Sequence, residues 1–440
     1  MSCTSRHVPS RHEEEGNVAL SAQRGPRPDA VPGATTPAGT TAPAATPRGL
    51  LPLLTLGNTA MYTLYIGVGG VLLPLQIEHI DKADKVALLG VVSGVSAIFA
   101  TLFNPVAGAL SDRSGRRNPW ILWGGLASVG AMALLGSVQT VLLVTIAWCL
   151  GQATMNVFQA AITSVVPDRV PLSGRGRASA AVGLGMPVGS TLGAVLGAAF
   201  TDHLGTGYLV LGAFVAVAAV LFTACTREEK RPAPEPVPWK RQAAAFMNAL
   251  RDHDFKWAFI GRALLVLGYF CVFGYQLYIL DDHISLPKGM EPADAVAILT
   301  PVSSVAMAVA TLVGGVLSDR LGRRKLFVGV SALVSALSLL IPALCPTWPA
   351  MLVFAVLNGL GFGCFMAVDN ALVTMILPSD GDAARDLGVL NMASAGPQIL
   401  APFVSSVIVS ACGGYTSLFF VGAALSVLGA LAVRPIRGVR

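Results

Sequence analysis

From Leu50 onward, apolar stretches of about 20 residues alternate with short polar breaks. A helix of that length crosses the roughly 30 Å of hydrocarbon in a bilayer, so each stretch predicts a transmembrane helix. The sequence thus predicts an all-α integral membrane protein of twelve transmembrane helices. The predicted spans are residues 50–76, 86–110, 119–138, 140–166, 178–200, 206–225, 256–280, 293–317, 326–345, 349–376, 387–411 and 415–433.

The charged stretch after the sixth span divides the helices six and six, and the two sets repeat each other. Residues 111–117 (Ser-Asp-Arg-Ser-Gly-Arg-Arg) return at 318–324 as Ser-Asp-Arg-Leu-Gly-Arg-Arg, and Tyr62 corresponds to Tyr269 by the same shift. A duplicated six-helix unit with its site between the copies is typical of secondary transporters. We expect a disordered cytoplasmic tail at 1–49, pseudo-symmetric bundles at 50–225 and 256–433, a cytoplasmic loop at 226–255 and a cytoplasmic tail at 434–440.

Composition and charge support a membrane protein and orient it. The chain is 54% hydrophobic and 12% charged, whereas soluble domains are about 25% charged. Its basic residues lie in short runs between apolar spans, which argues against a nucleic-acid partner. Nearly all of the 30 Lys and Arg residues fall in the termini, the central loop and the breaks after even-numbered spans. The positive-inside rule therefore places both termini in the cytoplasm, and we expect a multi-pass protein of the plasma membrane.

Two breaks share one motif, Gly-x-x-x-Asp-Arg-x-Gly-Arg-Arg. Its residues are Gly108, Asp112, Arg113, Gly115, Arg116 and Arg117 in the first half, and Gly315, Asp319, Arg320, Gly322, Arg323 and Arg324 in the second. This loop signature, present in both halves, resembles that of the major facilitator superfamily. The resemblance implies that the motif forms a cytoplasmic gate, which stabilises the outward-facing state and breaks when the inside opens.

Physical chemistry suggests how such a gate would work. Gly108 would let two helices approach closely. Asp112 would face the positive N-terminal end of a neighbouring helix. The arginines would pair with carboxylates, and Asp168 is the predicted partner of Arg116. The alternative is that the motif only anchors the topology.

A second, shorter likeness concerns the substrate. The stretch Gly-Arg-Arg-Asn-Pro-Trp at 115–120 resembles that of sucrose/proton symporters and glycoside–pentoside–hexuronide carriers. The alternative is an antiporter that exports drugs or metabolites. The fourth span lacks the arginine that many such antiporters carry, and the glycines around Pro187 only partly match their motif. Close helix packing explains those glycines equally well.

In this fold, spans 1, 4, 7 and 10 should line the substrate cavity. Each carries polar or aromatic side chains at helical spacing, so that they form one stripe. The cavity candidates are Asn58, Tyr62, Tyr65, Gln152, Asn156, Gln159, Tyr269, Phe273, Gln276, Asn358 and Phe365. Such amides and rings suit a sugar, but they also suit many drugs.

Two charges of opposite sign lie at similar depth within the spans, Arg262 in the seventh and Asp369 in the tenth. An unpaired charge in hydrocarbon costs several kcal/mol, so these residues should pair or face water. They are our candidates for a proton-coupling pair. The alternative is a static salt bridge between the two helices.

The sequence carries no fingerprint of a hydrolase, metalloprotease or nucleotide-binding enzyme. We therefore expect a transporter rather than an enzyme, without cofactor or metal, embedded in the lipid bilayer. It should act as a monomer on a small-molecule substrate and protons. A non-transporting membrane receptor or enzyme is the remote alternative.

Overall fold

The computed structural model describes residues 49–171, 174–228, 251–373 and 383–437, with the backbone alone at 383–391. Twelve helices in this part are long and apolar enough to cross a membrane, which confirms the predicted fold class. The helices are α1 Leu50–Ile80, α2 Lys85–Ser114, α3 Asn118–Ser137, α4 Val141–Arg169, α5 Arg175–Ala199, α6 Leu204–Cys225, α7 His253–Phe273, α8 Pro292–Leu321, α9 Arg324–Leu344, α10 Trp348–Val373, α11 Ala383–Ala411 and α12 Tyr415–Ala432.

Some predicted boundaries fall elsewhere or outside the described residues. Residues 1–48 and 229–250 belong to the predicted tail and central loop and lie outside the described part. The C-terminal residues 434–436 are held by Lys325, whose Nζ donates to the carbonyl oxygens of Arg434 and Ile436. The predicted tail therefore begins packed against the helices.

Helices α2 and α8 both end at a glycine of the repeated motif. Gly115 and Gly322 adopt φ angles of 65° and 61°, a left-handed conformation that glycine accepts without strain. Arg113 and Arg320 lie in the last helical turns, where a cation interacts favourably with the helix dipole. The motif thus continues each helix past its apolar span and then stops it.

Helix packing repeats between the halves. In the first half, α1 packs on α5 and α6, α2 on α4, and α3 on α4 and α6; each pairing recurs six helices later. The halves (α1–α6 and α7–α12) meet through α2 with α11 and α5 with α8. Gly185, Gly189 and Gly193 let α5 approach the backbone of α1, so close packing accounts for the glycine-rich stretch.

The first helix of each half is interrupted at a corresponding position. Helix α1 contains a π-helical turn at Val68–Leu72, and α7 ends at Phe273 before the short helix Gln276–Asp282. Gly67 and Gly274, at the two interruptions, are related by the 207-residue shift of the motif. Such interruptions are frequent at functional sites.

A cavity between the two halves

A cavity of about 600 Å³ lies between the halves, within the size range of small-molecule sites. Glycines of the π-helical turn, Gly69 and Gly70, line it. Nine of the predicted cavity residues also line it: Tyr62, Tyr65, Gln152, Asn156, Gln159, Tyr269, Phe273, Gln276 and Asn358.

Two predicted cavity residues are absent from the lining. Asn58 is buried between α1 and α5, where its Nδ2 donates to the carbonyl oxygen of Leu54 at 2.8 Å. Phe365 is fully buried in an apolar cluster with Leu265 and Val328. Both lie on the predicted stripe, but neighbouring helices cover that part of it.

Sequence analysis also missed lining residues on helices α2, α5, α8 and α11. They are mostly hydroxyl residues and methionines, which do not stand out in an apolar span. Those with polar or sulfur-containing side chains include Ser93, Ser96, Thr101, Met186, Ser190, Thr300, Ser303, Ser304, Met307, Ser394 and Gln398. No sequence pattern marks these residues. They line the cavity because α2 meets α11 and α5 meets α8 between the halves.

Aromatic rings form an array on the wall contributed by α7 and α10. The ring of Tyr269 stacks on that of Phe362, with centroids 3.9 Å apart and planes 18° apart. Tyr269 is also nearly parallel to Phe273, at 5.6 Å and 16°. Phe270 meets both Tyr269 and Phe273 edge-on.

The wall contributed by α4 carries amides. Gln152, Asn156 and Gln159 follow one another at helical spacing, and the hydroxyl of Tyr65 lies 3.4 Å from Oε1 of Gln159. Nδ2 of Asn156 donates to the backbone carbonyl oxygen of Gln152 at 2.8 Å. Amide side chains offer both donors and acceptors to a ligand.

None of the described lining residues carries a formal charge at neutral pH. The structure does bring Arg262 and Asp369 together, with Nε and Oδ2 2.6 Å apart and both residues at least 97% buried. Arg262 also donates to the side chain of Asn370. The pair lies about one helical turn beyond the lining residues Val266 and Met366, outside the cavity itself.

At one end of the bundle, charged residues join the two halves. Nζ of Lys85 lies 2.7 Å from Asp281, 2.9 Å from Asp282 and 3.1 Å from Glu78. It also lies 4.8 Å above the ring of Tyr278. We call this end, with Lys85 and its three carboxylates, the acidic end. Only Lys85 among the five residues carries positive charge, and its side chain is 7% exposed.

Two tyrosines reinforce this junction across the halves. The hydroxyl of Tyr278 donates to the carbonyl oxygen of Pro74 at 2.7 Å, and that of Tyr275 donates to the carbonyl oxygen of Val86 at 3.1 Å. In the described part of the chain, the hydrogen bonds and ion pairs found between the halves involve residues 74–86 and 275–282. Sequence analysis identified none of these contacts.

The opposite end, which carries the repeated basic motif, is called the basic end. Helix α2 packs on α11 at Gly90 and Gly94, which abut Ser406 and Phe403. Gly108 lies 14 residues, or about 21 Å, further along α2. Apart from its own stretch of α2, no atom of the described residues lies within 4 Å of where its Cβ would be. The same holds for Gly315. Among the described residues, no neighbouring helix packs closely against Gly108 or Gly315, so the close approach predicted at these glycines is not seen there.

The basic-end ion pairs of the first half centre on Arg117. Its Nε lies 2.9 Å from Asp168, and its guanidinium also pairs with Asp112 and Ser111. The predicted partner of Asp168, Arg116, is wrong by one residue. Arg117 directly precedes α3, so it is the side chain that reaches α4. Burial would lower the pKa of Arg117, but its two carboxylate partners raise it above the usual value.

A glutamate that sequence analysis missed lies at the N-terminal end of α3. Glu228 accepts hydrogen bonds from the backbone N–H groups of Arg117 and Asn118 and pairs with Arg169 at 2.7 Å. A carboxylate there neutralises the positive end of α3.

The second half carries a corresponding cluster around Arg324 among the described residues. Arg324 pairs with Asp319 at 2.6 Å and donates to the carbonyl oxygen of Ala371 at 3.2 Å. Arg323 precedes α9 at its N-cap position. As in the first half, these contacts stay within one half of the molecule.

Comparison with known proteins agrees with this architecture. A family model described as Major Facilitator Superfamily matches residues 54–287 and 290–439. The MFS transporter asaE of Aspergillus flavus is 25% identical over 350 residues, covering 78% of this chain and 75% of that protein. The multi-drug resistance efflux pump PmrA of Streptococcus pneumoniae is 24% identical over 330 residues, covering 70% of this chain and 77% of that protein.

Solved structures with the same fold include a mutant form of the nucleoside transporter NupG, with a TM-score of 0.72 and 16% identity, covering 88% of this chain and 98% of that one. A bacterial homologue of the human lysosomal transporter Spinster, solved inward-facing and unoccupied, has a TM-score of 0.64 and 16% identity. The match covers 87% of this chain and 93% of that one. Family and fold are those of transporters rather than enzymes. The chain belongs to the major facilitator superfamily and is one of its transporters.

Proposed function

We propose that this transporter moves a small, uncharged organic solute across the plasma membrane by alternating access. The observation that carries the proposal is a cavity between the halves whose described lining is uncharged. The halves are joined at the acidic end, and no described neighbour packs on Gly108 or Gly315 at the basic end. The positive-inside rule assigns the basic end and both termini to the cytoplasm. On that assignment, we propose that the structure corresponds to an inward-open state.

Two substrate classes follow from different observations. The amides of α4 and the Gly-Arg-Arg-Asn-Pro-Trp stretch favour sugar-like symport. The likeness to the efflux pump PmrA favours export of a drug or metabolite. Proteoliposomes with an imposed pH gradient separate the two: sugar symport accumulates radiolabelled sucrose, whereas export removes radiolabelled chloramphenicol, an uncharged drug, from the vesicles. Either activity supports the proposal, and a gradient-driven flux carried equally by protein-free vesicles contradicts it.

We propose further that Asp369 carries the coupled proton, with Arg262 as its partner. Both are buried and paired here, so the carboxylate would accept a proton only when the pair opens to cavity water. Removing one member of a buried pair costs about 3–5 kcal/mol, so the pair should open only where water or another polar group replaces the lost partner. Arginine keeps its own proton, so Asp369 is the titrating member.

The variant Asp369→Asn tests this assignment. Coupling through Asp369 requires that accumulation driven by the pH gradient disappears while substrate exchange at equilibrium survives. Accumulation that persists rules out Asp369 as the proton carrier. If both activities vanish and Arg262→Gln together with Asp369→Asn restores them, the pair is a static salt bridge.

A further inference from the structure

The rings of Tyr269, Phe273 and Phe362 lie in one nearly parallel array that borders the cavity. Parallel offset rings are a favourable arrangement for aromatic groups, and a flat ligand ring can extend such an array. Phe365 and its apolar cluster lie behind Phe362, which fixes the array in place. Among the described residues, the contacts in which both aromatic rings border the cavity all lie on this wall.

Methionines extend the same surface. Met307 and Met366 line the cavity and pack against the apolar cluster behind the array. Their thioethers are polarisable and make favourable contacts with aromatic rings. A sugar hydroxyl turned toward this wall would lose its water without gaining a hydrogen bond, which costs free energy.

Two amide side chains without a described partner border the same cavity, Gln152 across from the array and Gln276 beside it. The side-chain amides of Gln152 on α4 and of Gln276, three residues beyond Phe273, have no protein hydrogen-bond partner within the described residues. Each offers a carbonyl acceptor and an N–H donor. They would complement a ligand ring whose edge alternates hydrogen-bond donors and acceptors, as in a cyclic amide or imide.

We infer that the cavity selects flat, uncharged heteroaromatic solutes with an amide-like edge over sugars. The ring stacks on the Tyr269 array, and its edge binds the amides of Gln152 and Gln276. This inference rests on the proposed function, since it names the substrate class of the same cavity. The uncharged lining disfavours ions, because an unpaired charge in a low-dielectric site is costly.

The test compares probes and matched variants in the full-length, detergent-purified transporter. Lumichrome and theophylline are uncharged flat heteroaromatics, sucrose is the sugar, and ethidium is a flat cation. Lumichrome or theophylline should raise the melting temperature and bind saturably, and sucrose and ethidium should not. Tyr269→Leu should weaken heteroaromatic binding about tenfold, whereas Tyr269→Phe should retain it.

Two further variants guard against misfolding. Phe273→Leu removes a ring next to Tyr269, at one end of the array, and should also weaken binding. Phe420→Leu, on α12 outside the cavity lining and 46% exposed, should leave it unchanged. Stabilisation by sucrose but not by the heteroaromatics, binding unaffected by both ring variants, or no binding of either heteroaromatic overturns the inference. The proposed function fails separately, if the two ends of the molecule never exchange accessibility.

Discussion

At the acidic end, Lys85 of one half contacts Asp281 and Asp282 of the other, whereas at the basic end Arg117 and Arg324 bind carboxylates of their own halves. Contacts within a half can survive when the halves rotate against each other, but contacts between halves must break. The comparison therefore separates the two kinds of charge cluster by role. The acidic end holds the observed conformation, and the basic-end clusters hold the helices of each half together.

The largest effect is expected at Lys85. Lys85→Gln leaves three carboxylates facing one another across the junction, so the acidic end should open and transport should fall sharply. Ser93, which lines the cavity about 12 Å along α2 from Lys85, reports the opening. In a cysteine-free background, Ser93→Cys should be labelled from the acidic side only when Lys85→Gln is present.

Lys82 provides the matched control. It also contacts Glu78, at 3.6 Å, but its side chain is 81% exposed and makes no contact with the second half among the described residues. Lys82→Gln should therefore leave Ser93→Cys protected. Equal labelling in the two lysine variants would show that net charge at this end, rather than the contact across the halves, controls opening.

A smaller effect is expected at Arg117. Because its half-buried side chain binds Asp112, Asp168 and Ser111, Arg117→Gln should lower stability by about 1–3 kcal/mol. Arg116→Gln, one residue earlier, should cost much less. Thermal unfolding of the two variants decides between them, and a larger loss for Arg116→Gln would support the original pairing with Asp168.

Loss of an ion pair at the basic end should lower stability even less in the second half. Asp319 is 62% exposed, and an exposed ion pair contributes about 0–1 kcal/mol. Asp319→Asn should therefore change the melting temperature less than Asp112→Asn, whose carboxylate is 40% exposed. Melting curves of the two variants test this order. A larger loss for Asp319→Asn than for Asp112→Asn would contradict it and would place the more stabilising cluster in the second half.

The smallest effect concerns pH at the acidic end. His283 follows Asp282 and packs near Tyr415 and Phe419, and burial lowers its pKa below 6.5. These contacts lie within the second half, so the lowered pKa of His283 favours the folded protein above about pH 6.5, and that contribution is lost as pH falls. Mild acidification should slightly lower the melting temperature, and His283→Gln should reduce that loss. An unchanged pH response in His283→Gln would exclude this residue.

The helix stripes explain how much of the cavity the sequence could predict. Tyr62, Gln152, Tyr269 and Asn358 stand out because polar or aromatic side chains recur at helical spacing in apolar spans. Ser93 on α2 carries no such signal. It lines the cavity because α2 and α11 meet near the acidic end, and that contact depends on packing between distant segments.

The charge clusters show a different limit. Lys82 and Lys85 lie in the same short break and look equivalent in the sequence, yet only Lys85 reaches the second half among the described contacts. Arg116 and Arg117 are likewise adjacent, and the start of α3 decides which one meets Asp168. Helix ends shift by one or two residues without changing the apolar pattern, so partner choice could not be predicted.

Distances between the halves at both ends test the central claim most directly. Spin labels at Leu110 and Leu317 report on the basic end, and labels at Gln139 and Lys288 report on the acidic end. Pulsed electron–electron double resonance should show that Lys85→Gln shortens the first distance and lengthens the second, relative to the unmodified lysine. If both distance distributions stay unchanged, the contact across the halves at Lys85 does not hold this state.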